Sequence, residues 1–467
     1  MSKVVSFEEA VSLIRDGNTV AVCGAWMLLP DRALRHLGER FARSGHPRDL
    51  TLVFPFSPAD NFNQPGIEHL GHEGMLRRLI GGSFPCGVKS SRIVNMIGSN
   101  QVESYNLPAG VIVHLFREIA GKRPGVLSKV GLHTCVDPRH GGGRMNQVTS
   151  VDLVEVLPVR GEEYLFYRSF PIHAAIIRGT TADDHGNITM EAEASYLGAF
   201  HQALAAHNCG GKVIAQVKRL SRERLPAKDV KIPGILVDAV VVDPEQMQAA
   251  NVRHDPSLSG QETGRLEEVA FDSPAERIIA RRLVSEITAG DVVVLGFGIS
   301  SLVPSVLLAE GRQEDATFLV EQGAVGGMPL AGFQFGCARN PQAFLEVPSQ
   351  FDLFQGGGFD TAFLSFLQVG EDGRVNVSRL ENRPAISAGV GGFMDITQNA
   401  NRIIFAGTLT TSGLEVDATG GRLKILNEGR KKKFVRSTDH VTFVPGLPTG
   451  GCATSRNAAS SSCGEAG

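Results

Sequence analysis

One order of signals occurs twice along this chain, and it restricts the fold more than any other feature. Phe7 to Ile14 places apolar residues at helical spacing, Asp16-Gly17 ends the pattern, and Thr19-Val20-Ala21-Val22 opens a short apolar strand. Far downstream, Ile278 to Ile287 repeats the amphipathic helix, Ala289-Gly290-Asp291 stops it, and Val292-Val293-Val294-Leu295 supplies the strand. A second pairing follows the first. Asp184-His185-Gly186-Asn187-Ile188-Thr189-Met190 is a turn entering a strand, and Asp372-Gly373-Arg374-Val375-Asn376-Val377 repeats it. Each leads to a further apolar strand, Lys212 to Val217 and then Arg402 to Gly407. The first copy is longer, so the chain is not a fixed-period solenoid. Short apolar strands alternating with helices favour mainly parallel sheets. The expected fold is α/β: two similar domains with open, mainly parallel sheets flanked by helices, and an active-site crevice between them.

The 467 residues exceed the ~100–200 usual for one domain, which agrees with two halves. The polar stretch from Asn251 to Ser273 has few core-forming residues and marks the boundary. The expected domains are 1–260 and 274–444. After Val444 the chain becomes rich in Gly, Ser and Ala, with too little apolar surface to offset the entropy of ordering it. Residues 445–467 are therefore expected to be a disordered tail.

Composition excludes several classes of function. Hydrophobic residues make up 42% and charged residues 20%, as in a globular protein with a large core, and a net charge of −3 offers no broad attraction for nucleic acid or anionic membrane. The N-terminus has no apolar signal core and no apolar run reaches ~18 residues, so a cytoplasmic location is expected. The 7 cysteines (Cys23, Cys86, Cys135, Cys209, Cys337, Cys452 and Cys463) form no CxxC pair, which argues against a disulfide framework or a zinc site.

The chemistry concentrates in FLVEQGAVGGMP, Phe318 to Pro329. Phe318-Leu319-Val320 reads as a buried strand with Glu321 at its carboxyl end, among Gly323, Gly326 and Gly327. Burial there raises a carboxyl pKa unless donors meet it. From the pattern alone, a helix-capping or ion-paired glutamate is an equally good account. Three more glycine clusters lie in the same half. Gly296-Phe297-Gly298-Ile299-Ser300 follows a strand and precedes a helix, where free N–H groups favour an anion. Gln355-Gly356-Gly357-Gly358 and Gly389-Val390-Gly391-Gly392-Phe393 are loops that allow close backbone approach. Each alone is more often a turn than a site; together they suggest a crevice lined by backbone amides.

Beyond these local readings, VEQGAVGGMP, SQFDLFQGGGFDTAFLSFLQV, GRVNVS, GVGGFMDITQNA and IIFAGTLTTSGLEV together resemble the family I CoA-transferases. GVLSKVGLHTCVDPRHGGGRMN, YLFYRSFPIHAAIIRGTTADDHGNIT and IPGILVDAVVVDP extend the likeness into the first half. The motifs are similar to those of the single-chain acetate/propionate and 3-ketoacid CoA-transferases of short-chain acid and ketone body metabolism. The resemblance runs from about residue 4 to about residue 444.

It implies that Glu321 attacks an acyl-CoA thioester, that the resulting acyl-glutamyl anhydride becomes a glutamyl-CoA thioester, and that an incoming acid reverses the steps. It also implies that Gly296, Gly298, Ile299 and Ser300, with Gly389, Gly391 and Gly392, hold CoA and supply oxyanion donors. Gly323, Gly326, Gly327, Gly356 and Gly357 would line the substrate crevice. Acyl-CoA and small carboxylic acids are the implied partners, coenzyme A is the carried group rather than a resident cofactor, no metal is implied, and a homo-oligomer is expected. An acyl-CoA hydrolase using the same glutamate, or a non-catalytic CoA- or acid-binding relic, remains an alternative.

The sequence departs from the family pattern in two places. The loop Gly24 to Pro30 lacks the extra glycines often found there and carries the only tryptophan, Trp26, which either narrows the acid pocket or packs in the core. Relatives of this kind continue with strand and helix beyond Val444, so the low-complexity tail is the pattern expected of a truncated or frame-shifted version. Weaker signals have plainer readings. His69 and His72 lack a third ligand at metal-binding spacing, Lys431-Lys432-Lys433 reads as a solvated hairpin face or a phosphate contact, and His133 with Asp137 as a turn network or a crevice wall.

Overall fold

The computed structural model describes residues 3–60, 64–85, 91–381 and 389–446. From residue 447 onward the expected disordered tail lies outside the described residues. The first helix, Phe7–Ser12, begins at a capping box: the Ser6 hydroxyl accepts the Glu9 N–H (3.2 Å) and the Glu9 carboxylate accepts the Ser6 N–H (2.9 Å). The strand Thr19–Val22 that follows is buried along its whole length, as a β-branched run covered on both faces should be.

That strand is the middle of a parallel sheet ordered Ala239–Val242, Lys212–Leu220, Ala174–Ala182, Thr19–Val22, Leu50–Phe54, Leu76–Gly81 and Glu103–Asn106. Two short antiparallel strands, Ile188–Thr189 and Val230–Ile232, extend the end of Ala174–Ala182. Side chains alternate between the two faces. Val20 and Val22 join the core under the helix Asp31–Ser44, whereas Ala21 joins the core under Ala109–Ala120 and Ala199–Asn208.

The second sheet repeats the plan at smaller size. Ala316–Leu319, Asp291–Leu295, Thr361–Leu364 and Ile403–Phe405 are parallel, and Ala324–Val325 and Ala343–Phe344 add antiparallel strands at one edge. The helices Pro274–Val284 and Val303–Ala309 cover one face, packing Ala280, Leu283, Val303 and Leu307 against Val293, Phe318 and Phe363. Both expected helix–strand pairs are present, and both Asp-led turns enter short strands, Ile188–Thr189 and Val375–Asn376. An antiparallel sheet of Gly125–Ser128, Val154–Val159 and Glu162–Arg168 was not announced by periodicity. Among the described residues, no helix is long and apolar enough to cross a membrane.

The two halves join through backbone. The Ala109 N–H donates to Gly391 O (2.8 Å), and the Gly391 N–H donates to Gly82 O (2.8 Å). Between them Asn106, buried at the end of its strand, donates through Nδ2 to Gly82 O (2.7 Å) and Gly81 O (3.1 Å) and accepts the Val390 N–H on Oδ1 (3.0 Å). Removing a buried group that satisfies several backbone atoms exposes each of them to a desolvation cost. Asn106→Ala is expected to lower unfolding free energy by roughly 2–4 kcal/mol in urea titration; a change below about 1 kcal/mol would show that the seam does not depend on this amide.

Candidate active site

Glu321 lies two residues beyond the strand Ala316–Leu319. A tight turn holds it there: Val320 N–H donates to Ala324 O (2.9 Å) and Gly323 N–H to Val320 O (2.9 Å). The turn needs glycine at 323, where φ is +116° and a Cβ would come within 2.5 Å of Leu345 O. Side chains from neighbouring elements fix the flanking carbonyls. Gln350 Nε2 donates to Val320 O (3.1 Å), and the Ser195 hydroxyl, from the first half, donates to Gln322 O. The backbone is therefore fixed on both sides of Glu321, and its side chain projects toward the seam.

There it meets Gly392. The Gly392 N–H faces the Glu321 carboxylate and acts to hold its pKa down. A Cβ at 392 would lie 2.7 Å from Glu321 Oε1 and 2.9 Å from Phe351 Cε1, so the contact exists because that side chain is absent. The neighbouring amides of this loop are already used: Val390 N–H on Asn106, Gly391 N–H on Gly82 and Phe393 N–H on Val390 O (3.0 Å). The Gly392 amide faces the carboxylate.

A second carboxyl shares the pocket. Asp395 is fully buried, accepting the Gly110 N–H on Oδ2 (3.1 Å) and the Gln355 Nε2–H on Oδ1 (2.8 Å). Burial pushes the Glu321 pKa up to about 7, with the Asp395 charge adding to the rise and the Gly392 N–H opposing it. Burial likewise pushes Asp395 up to about 7, against its donors Gly110 and Gln355 and the nearby His114.

The sequence-derived site residues divide into three groups. Gly296 stands level with Glu321, because Val294 is in register with Leu319 on adjacent parallel strands, and Gly298, Ile299 and Ser300 follow it in the loop at that end of the sheet. The Ser300 hydroxyl donates to Gly296 O (2.9 Å) and closes that loop. Gly389, Gly391 and Gly392 form the seam, with Gly389 bridged to Ser83. Gly323 shapes the Glu321 turn, whereas Gly326 and Gly327 face away, packed against Gln342 and the backbone of Arg339 and Asn340. Gly356 and Gly357 are not crevice residues. They terminate the helix Val347–Gln355, with Gly357 N–H on Phe354 O (3.0 Å), and precede Thr361–Leu364, which places them at the opposite end of the sheet from Glu321.

The remaining signals also find places. Trp26 is only partly buried and packs against Phe297 (5.4 Å between centroids), Phe333 and Phe335 from the second half. Phe297 and Phe333 are themselves exposed, so this is a ring cluster on the surface of the seam, not core. His69 pairs with Asp31 (3.2 Å) and His72 packs on Phe41. Asp137 accepts the His133 N–H (2.9 Å) and the Arg139 guanidinium, a turn network. Lys431–Lys432 pair antiparallel with Thr410–Thr411 in a hairpin, whereas Lys433 turns inward onto Phe366 O (3.2 Å). Asp395, Asn106, Gly110 and Phe351 were not singled out from sequence, and Gln355 was named only as the start of a glycine loop; Asp395 and Phe351 stood in quoted motifs, but a helix-interior aspartate carries no burial signal.

Comparison with known proteins bears on this geometry. The coenzyme A transferase family model matches residues 4–243. A caffeate CoA-transferase of Acetobacterium woodii is 40% identical over 456 residues, spanning 95% of this chain and 85% of its own. The acetate CoA-transferase YdiF of Escherichia coli (strain K12) is 36% identical over 445 residues, 94% of this chain and 82% of its own. The crystal structure of the YdiF apoenzyme from Escherichia coli O157:H7 is 36% identical with a TM-score of 0.87, covering 95% of this chain and 84% of its own. A YdiF thioester complex with CoA is 35% identical with a TM-score of 0.86, covering 95% and 83%.

Gly392→Ala places a methyl group where the Glu321 carboxylate now sits. Turnover of acyl-CoA is expected to fall about 100-fold or more, as a displacement of about 1 Å at a reacting group can cause. The variant's urea midpoint measured alongside separates this from unfolding, and near-normal turnover would show that the amide contact is dispensable.

Proposed function

The chain belongs to the coenzyme A transferase family and is an enzyme of the CoA-transferase type, and from that premise we propose that it moves CoA between short-chain carboxylic acids through a covalent thioester on Glu321. The observation that carries this reading is a partly buried carboxylate held just past a strand end, with one backbone N–H aimed at it. Desolvation makes such a carboxylate a better nucleophile than one in water.

The steps balance without an added proton. A Glu321 carboxylate oxygen attacks the thioester carbon, the C–S bond breaks and CoA leaves as thiolate. The thiolate attacks the glutamyl carbon of the anhydride, the C–O bond breaks and the first acid leaves as its carboxylate. A second carboxylate reverses both steps and departs as the new acyl-CoA. Each tetrahedral intermediate carries an oxyanion, and the Gly392 N–H is the donor positioned beside it. One such donor is typically worth about 3–4 kcal/mol. The Gly296 to Ser300 loop, level with Glu321, is the proposed seat of the CoA pantetheine arm, and remote CoA contacts offset the cost of desolvating the reacting centre. The proposed division of labour puts the nucleophile in the half from 274 to 444, with the half from 1 to 260 closing the pocket.

A second reading of the acid is favoured by one observation. The ring cluster Trp26, Phe297, Phe333 and Phe335 stands beside the Glu321 level of the seam, which would suit an aryl-acrylic acid of the kind named for the Acetobacterium woodii relative. Initial rates with acetate, propionate and caffeate as acceptors decide between the two.

Acid-dependent turnover with parallel double-reciprocal lines is expected, and Glu321→Gln should lose at least about 1,000-fold of it. Acid-independent release of CoA would point to a hydrolase, and no turnover by a folded sample would point to a binding protein. Because the Glu321 carboxyl titrates near 7 and must be ionised to attack, kcat/KM should rise with pH and level off above about 7, falling about tenfold per unit on the acid side. A flat profile through that range would contradict the buried carboxylate.

A further inference from the structure

Asp395 has no part in the steps above, yet it is a fully buried carboxyl in the same pocket as the nucleophile. Its closeness follows from shared neighbours. A Cβ at Gly110 would touch Asp395 Oδ1 (2.5 Å) and Phe351 Cδ1 (2.4 Å), and a Cβ at Gly392 would touch Glu321 Oε1 (2.7 Å) and Phe351 Cε1 (2.9 Å). Cδ1 and Cε1 are bonded atoms of one ring, so both carboxyls lie along the same edge of Phe351. Among the described residues, the groups packed around Asp395 hold no cation in direct contact. From the helix Ala109–Ala120 it receives the Gly110 N–H and faces His114, which is itself turned to Asp352 (3.0 Å); Arg117 also pairs with Asp352 (3.3 Å). From the helix Val347–Gln355 it receives the Gln355 amide, and from the antiparallel sheet it faces Tyr167, whose hydroxyl donates to Val130 O (2.6 Å). Two neutral donors therefore hold the Asp395 charge, and among the described residues no ion pair with a guanidinium or ammonium quenches it.

We propose that Asp395 is a positioning residue whose buried negative charge drives Glu321 toward its acylated forms. Two carboxylates on one edge of a ring repel each other in a medium of low dielectric constant. When Glu321 attacks the thioester, its negative charge passes to the departing group, and both the anhydride and the glutamyl-CoA thioester are neutral at Glu321. Acylation relieves the repulsion. The like charge destabilises the free carboxylate and leaves the covalent intermediates untouched, so it favours attack and the accumulation of thioester. This inference rests on Glu321 being the nucleophile.

Asp395→Asn removes the charge while keeping size and shape, since the Gln355 carboxamide can turn to present its oxygen to the new NH2. Gln355→Met takes away one donor and holds Asp395 neutral to higher pH. In both variants the acid limb of kcat/KM is expected to move to lower pH, by about 1 unit for Asp395→Asn, the effect of one neighbouring like charge. The plateau kcat should fall about tenfold with it, the equivalent of that unit. A purely structural role would lower the plateau and leave the limb where it was. Gln355→Met keeps the test available if Asp395→Asn does not fold. If Glu321→Gln is inactive and the limb stays in place in every folded variant, the inference fails and the nucleophile assignment stands. If Glu321→Gln keeps normal turnover, the nucleophile assignment fails first.

Discussion

The structure depends on one contact that is costly to arrange: the Gly392 N–H facing the Glu321 carboxylate inside the seam between the halves. A carboxylate is rarely left in apolar surroundings without a cation, because desolvation penalises its charge. Here the surroundings are fixed before the charge is considered. Ser195 and Gln350 clamp the turn that carries Glu321, and Asn106, Gly82 and Ala109 clamp the loop that carries Gly392. The turn that carries the carboxylate is held from both sides of the seam and the loop that carries its amide donor from the first half, so neither half alone contains the site.

This organisation accounts for the glycines. At 392 a methyl group would overlap the Glu321 carboxylate, at 391 the N–H and carbonyl both bond across the seam, and at 323 the turn permits no other residue. The amide of the middle residue is left to face Glu321 because its neighbours on either side are consumed structurally. Asp395 fits the same logic from the opposite direction, as a charge the fold holds with neutral donors near the residue that must lose its own.

Local grammar revealed the architecture well. The helix–stop–strand order around Asp16-Gly17 and Ala289-Gly290-Asp291 marked two parallel sheets, because a buried parallel strand reads as a continuous apolar run and needs a helical crossover. Glu321 stood out as a charged residue ending such a run, but its proposed role came from the family resemblance, since the pattern alone fits a capping or ion-paired glutamate as well. The loop at 356–357 misled, since a glycine run reads the same whether it caps a helix or lines a crevice; only its position at the start of Thr361–Leu364 separates the two. Asp395 and Asn106 were not legible. Their partners lie 285 and 284 residues away in sequence, Gly110 for one and Val390 for the other, and no periodicity records a contact across that separation.

The central claim is that a carboxylate at 321 becomes covalently bound to coenzyme A. Intact-mass spectrometry of the protein incubated with acetyl-CoA, followed by borohydride treatment and peptide mapping, tests it most directly. The account predicts an adduct of CoA less one water before reduction, mapped to Glu321 and absent from Glu321→Gln. A folded protein that turns over acyl-CoA with no adduct, or with one on another residue, would contradict it.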